Sequence, residues 1–180
     1  MVRVWDVMVP IGESGPFHEH KLDMVSVPIN TTEITNVPKG GLFSFARDFR
    51  LESGSVHFSE YLKSPYVHRI IPKGPNPHRV IEFELLGTSK ADRAGPVMER
   101  TGFTTILDNA RVLASRLILE PGHTSEIAPR GNTVMVVVKG GVAQSKELKA
   151  GDVEWHGEAT RRLIKNDGPS PMELVEVEVK

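Results

Sequence analysis

The chain carries one β-rich pattern twice, and a duplicated strand pattern restricts it to folds built from two equivalent units. Residues 68–85 align without a gap to 162–179, so that Gly74, Pro75, Pro77, Glu82 and Glu84 meet Gly168, Pro169, Pro171, Glu176 and Glu178. The glycine and prolines mark a turn, and the paired glutamates mark the strand after it. The front ends align at another offset, which pairs Gly12 with Gly122. The offsets, 94 (162 − 68) and 110 (122 − 12), give the first copy a longer middle, expected near residues 38–53.

Short β-branched runs separated by Gly, Pro, Asn and Asp predict strands at residues 2–9, 24–29, 67–71, 80–86, 112–119, 134–138 and 174–179. Thirteen prolines and sixteen glycines leave little room for long helices. Residues 173–179 alternate strictly between apolar and acidic, and Glu82-Phe83-Glu84-Leu85 does the same. That pattern places the apolar face inward and the glutamates in solvent. The expected organisation is a first unit over 1–87, a polar and breaker-rich linker over 88–109, and a second unit over 110–180. A strand near residues 103–107 is weakly signalled.

Bulk properties exclude several function classes. A formal net charge of −1 provides no electrostatic footprint for nucleic acid or an anionic membrane. The absence of cysteine excludes disulfides, zinc ribbons and thiol chemistry. No stretch approaches the roughly 18 consecutive apolar residues of a spanning helix, and the start of the chain reads as a strand with charges inside it. The expectation is a cytoplasmic protein that acts on a small molecule.

Gly12, His18 and His20 open the first copy, whereas Ala128 and Arg130 stand at the corresponding histidine positions of the second. In a strand, His18 and His20 project from one face. Met24 shares their parity, and Asp23 points the other way unless a bulge re-aims it. An exposed histidine pair is the plainer alternative to a metal site.

A glycine, five residues, His-x-His, and then a second glycine block ending in a histidine before a turn and a final strand: this pattern resembles the cupins. Gly12, His18 and His20 fit the first cupin motif, and Gly54 and His68 fit the second with a longer gap. The resemblance covers nearly the whole chain and implies an all-β fold of two tandem jelly-roll barrels, a bicupin, with the second barrel diverged and lacking ligands. It implies one divalent transition metal, Fe, Mn, Ni or Zn, held by His18, His20 and His68, with Asp23 as a further candidate ligand. The chain departs from the family pattern at Met24, where the motif glutamate is expected, and at Pro72, where an asparagine is expected. Asn166 keeps that asparagine in the second copy, whose ligand positions read Ala128, Arg130, Val134 and Arg162.

His57, Met24, Phe17 and Tyr66 are the candidate substrate-pocket residues, His78 reads as structural, and His123 and His156 read as surface or interface residues. Arg130 and Arg162 either form an anion pocket or, more plainly, reach solvent and pair with glutamates. The functions implied are a metal-dependent dioxygenase or isomerase in the first barrel, or a non-catalytic small-molecule binder. The resemblance also implies a homodimer.

Overall fold

The structure is a computed structural model, which describes residues 1–40, 45–87, 102–128, 131–157 and 161–180. Contacts divide the chain into two compact units, Met1–Leu86 and Gly87–Lys180. Each unit consists of strands. No helix long and apolar enough to cross a membrane occurs among the described residues.

The first unit has eight strands: β1 Val2–Val9, β2 His18–His20, β3 Met24–Pro28, β4 Thr32–Pro38, β5 Arg47–Leu51, β6 His57–Ser59, β7 Tyr66–Gly74 and β8 His78–Leu85. They form two four-stranded sheets, β1-β8-β3-β6 and β2-β7-β4-β5. The turn at Gly74–Pro77 carries the chain from β7 in one sheet to β8 in the other. Gly74 adopts a φ of 106°, a backbone region that only glycine enters freely.

The second unit comprises β9 Phe103–Asp108, β10 Val112–Leu119, β11 Thr124–Ile127, β12 Thr133–Lys139, β13 Gly141–Ala143, β14 Lys146–Leu148, β15 Val153–His156, β16 Arg162–Lys165 and β17 Met172–Val179. Its main sheet runs β15-β12-β17-β10-β9, beside the pairs β11-β16 and β13-β14. The main sheet repeats the first unit's β1-β8-β3-β6 order with one strand, β9, added at the edge, and the two pairs stand where the first unit has one four-stranded sheet. The stretch 88–109, expected to be a linker, therefore ends inside the second unit, because β9 pairs along β10 from Leu117↔Phe103 to Leu113↔Asp108. Residues 88–101 lie outside the described residues.

Strand register shows the duplication directly. Val2 pairs with Leu85 and Val9 with His78 in the first unit; Val112 pairs with Val179 and Leu119 with Met172 in the second. Both pairs obey the offsets read from the sequence. One correction follows further along. Arg162 stands opposite Ile127, as His68 stands opposite His18, and Glu178 stands opposite Thr133, as Glu84 stands opposite Met24. The offset along β11 and β12 is thus 109 (127 − 18), and Ile127 and Thr133 occupy the places expected for Ala128 and Val134. The strand slips by one residue after Gly122, and parity forces the buried Ile127 (0 % exposed) inward. Arg130 lies outside the described residues.

The interiors differ in what fills them. Leu117, Ile127, Met135, Ile164, Met172 and Leu174 pack together as a continuous core in the second unit. At the equivalents of Met172 and Leu174, the first unit has His78 and Val80, and its interior is open. Asn166 ties the second unit's turn together. Its Nδ2 donates to Leu119 O and Ser170 O, both at 2.8 Å, and its Oδ1 accepts the Gly168 N–H at 2.9 Å. Pro72 cannot do this in the first unit. There the buried Thr32 Oγ1 donates to Asn76 O at 2.6 Å instead.

The acidic strands also need correction. Glu82 and Glu84 share the face of β8 that lines the open interior, and Ile81, Phe83 and Leu85 are buried on the opposite face. Glu176, the counterpart of Glu82, is 3 % exposed. When both faces of a strand are buried, alternation no longer says which face is inner.

Candidate metal centre

The first unit encloses a cavity of about 530 Å³ between its two sheets. Its wall is largely apolar, with Val7, Val9, Ile34, Phe49, Ile70 and Val80 among the lining residues. Three histidines converge on it from adjacent strands. The register His18↔His68 sets two of them side by side, and the period of two along β2 adds His20 on the same face. The three available ring nitrogens lie within 4.8 Å of one another, and this is the only such group among the described residues.

Second partners orient the rings. His18 Nδ1 donates to Pro16 O at 3.1 Å, which frees Nε2 to face its neighbours. His68 Nδ1 donates to Asn36 Oδ1 at 3.1 Å, and the same oxygen accepts the Tyr66 hydroxyl at 3.0 Å. With Nδ1 carrying the proton, His68 Nε2 is an acceptor, and His20 Nε2 lies 3.0 Å from it. Histidine held by an outer N–H partner, with its second nitrogen turned inward, is the usual arrangement of a metal ligand. The Tyr61 ring stacks on His20 at 4.9 Å between centroids and 17° between planes, which blocks rotation of that imidazole.

The electrostatics keep His20 and His68 neutral. Burial, with the added charge of His18, pulls His20 down to about 4. Burial, then His18, His20 and His78, pulls His68 down to about 3. Neutral imidazoles with inward-facing nitrogens suit a borderline divalent ion such as Fe, Mn, Ni, Cu or Zn. The donor set therefore fits a transition metal, which His18, His20 and His68 could hold.

Other candidates fare differently. Asp23 faces away, as its parity required. Its Oδ1 accepts the Leu62 N–H at 3.0 Å, and it lines no part of the cavity, so it is not brought to the histidines. Met24 and His57 line the cavity. Phe17 does not; it is 43 % exposed, with the Arg69 guanidinium 5.0 Å over its ring. Tyr66 packs on His68, 4.9 Å between centroids, and lines an adjoining cavity together with Asn36, Phe49 and Arg47.

Asn36, Tyr61, Glu82 and Glu84, which the sequence reading did not place in the site, also line the cavity. His78, read as structural, also lines it and is 5 % exposed. The shared parity of His78, Val80, Glu82 and Glu84 was the available signal. In the second unit, Arg162 pairs with Glu154 and lies near the buried His156, so this arginine is engaged by a glutamate and His156 is no surface residue. His123 is exposed.

Asn36 supports a first prediction. Asn36→Ala removes the acceptor that holds His68, and metal affinity should fall about 10- to 100-fold, measured by competition with a chromogenic chelator. An unchanged affinity would show that packing alone orients the ring.

No family model matches the chain, and no curated protein matches it. Solved structures do. AerE from Microcystis aeruginosa superposes with a TM-score of 0.69 at 7 % identity, over 99 % of this chain and 88 % of its own. The oxalate decarboxylase of Bacillus subtilis superposes with a TM-score of 0.62 at 12 % identity, over 98 % of this chain and 67 % of its own. This chain has a bicupin fold. YhaK from Escherichia coli is also similar, with a TM-score of 0.63 at 12 % identity over 99 % of this chain and 85 % of its own. At such identities the likeness is one of fold.

Proposed function

We propose that the protein is a metal-dependent bicupin enzyme that acts on a small organic substrate in the first unit. The observation that carries this reading is the convergence of His18, His20 and His68 on a cavity of about 530 Å³, while the second unit's interior is packed with Leu, Ile and Met. The bound metal would be Fe, Mn, Ni or Zn, and it would supply Lewis-acid polarisation or an oxygen-binding position for isomerase or dioxygenase chemistry. The fold also serves an oxalate decarboxylase, which supports an enzyme of this architecture.

The chain's own groups divide the remaining work. The apolar wall excludes water and seats the body of the substrate. Tyr61 and Asn36 hold the histidines in orientation. Glu82 is pushed up to about 7 by burial and by Glu84, so it can take or give a proton near neutral pH.

One observation favours a second reading, a non-catalytic binder. Met24 fills the position of the motif carboxylate, and a thioether is a poor ligand for hard divalent ions. The test is turnover of candidate small molecules by chelator-treated protein reconstituted with each metal. The enzyme reading expects turnover to appear only on reconstitution. A ligand bound equally well with and without metal, and never converted, would establish the binder instead.

A further inference from the structure

The inner face of β8 presents an unusual charge arrangement to the cavity. Glu82 and Glu84 both line it, yet no lysine or arginine is among the described residues that do. Arg3 lies across from Glu84 and pairs with it at 3.0 Å. Arg47 lines the adjoining cavity instead. Glu82 has no hydrogen bond or ion pair of this kind among the described residues, so its carboxyl is the group that a ligand must meet.

The neighbours of Glu82 define a small subsite. Trp5 stands directly opposite it on β1, and Ser26 directly opposite on β3, with His57 next beyond Ser26. Directly opposed residues on one face of an antiparallel pair hold their side chains about 5 Å apart at Cβ. A carboxylate opposite an indole and a hydroxyl is suited to an ammonium group, which donates charge-assisted hydrogen bonds to the carboxylate and is attracted by the ring quadrupole. An independent observation also points to a ligand. His78 is 5 % exposed and lines the same cavity, and its buried Nδ1 has no hydrogen-bond partner. A buried polar atom of that kind is normally satisfied, and a bound molecule or water would supply the partner.

We infer that the cavity takes a small apolar amine, its ammonium held by Glu82 between Trp5 and Ser26 and its apolar body laid against Val7, Val80 and Phe49. This rests on the reading of the cavity as the substrate site, and it extends that reading to a substrate class. In the metal-free cavity a carboxylate ligand would meet Glu82 with like charge and find no lysine or arginine among the described lining residues. Elevation of Glu82 toward neutrality is consistent with an unpartnered carboxyl, and an arriving cation would restore its charge.

The test is calorimetric titration of the full chain with three probes that share a phenylethyl body: 2-phenylethylamine, 2-phenylethanol and 3-phenylpropionate. Each is titrated into protein as purified and into chelator-treated protein, with metal content measured separately. In chelator-treated protein the expected order is amine, then alcohol, then carboxylate, with the amine at least about tenfold tighter than the carboxylate. Glu82→Gln, nearly isosteric, should not lower the thermal midpoint at neutral pH and should keep the alcohol affinity but lose the amine preference. The inference is overturned if, in chelator-treated protein, the carboxylate binds as tightly as the amine, the preference survives in Glu82→Gln, or the amine does not bind. The order of the three probes in the unmodified protein decides the question even if the variant fails to fold. Because the preference is read without metal, a failed metal centre and a failed amine subsite give different results.

Discussion

Metal-free protein should lose several kcal/mol of stability as the pH falls from 6.5 to about 4. His20 and His78 are each pulled down to about 4 and His68 to about 3, against an ordinary value of 6.5, with burial as the largest cause in each case. In this window the unfolded chain takes up protons that the folded chain refuses, so acid favours unfolding. The stability from these groups is fully present above 6.5 and declines below it. For His20 alone the linkage is on the order of 3 kcal/mol. Glu82 works in the opposite sense. Its folded value of about 7 exceeds the ordinary 4.5, so its contribution is present in acid and is lost as the pH rises through 7. Three histidines outweigh one glutamate, and the net slope follows the histidines. Thermal midpoints measured across pH 4 to 7 in the presence of chelator check this; a flat profile would mean that the three rings are hydrated.

His68→Ala should produce the largest change in metal binding, a loss greater than the 10- to 100-fold expected of an outer partner such as Asn36. His68 sits at the centre of the arrangement. Its Nε2 lies 3.0 Å from that of His20, and its ring centroid lies 4.6 Å from that of His18. Removing it leaves two imidazoles and no fixed third donor. The same substitution removes a buried group that resists protonation, so the metal-free variant should fall less steeply in acid than the unsubstituted protein. A variant with weaker metal binding and a flatter acid profile shows both consequences of one buried ring. Titration of metal into each protein and the pH series above supply the comparison.

Much of the fold was legible because turns and strand alternation are local signals. Gly74, Pro75 and Pro77 recur as Gly168, Pro169 and Pro171, and the register Val9↔His78 against Leu119↔Met172 realises that recurrence in three dimensions. The convergence of His18, His20 and His68 followed from the parity of β2 and from the motif spacing. What the sequence did not carry was the direction of a strand buried on both faces. Glu82 and Glu84 therefore looked solvated, although they line the cavity. Asn36 and Tyr61 were missed for another reason: each meets the histidines across strands or loops far away in the chain, where no fixed spacing marks the contact. The one-residue slip along β11 is likewise settled only by pairing with β16.

Metal content per chain, measured on untagged protein beside His18→Ala, tests the central claim most directly. Near-stoichiometric iron, manganese, nickel or zinc in the unsubstituted protein, lost in the variant, is the expected result. No metal in either protein after reconstitution, or equal metal in both, would contradict a centre built on these three histidines.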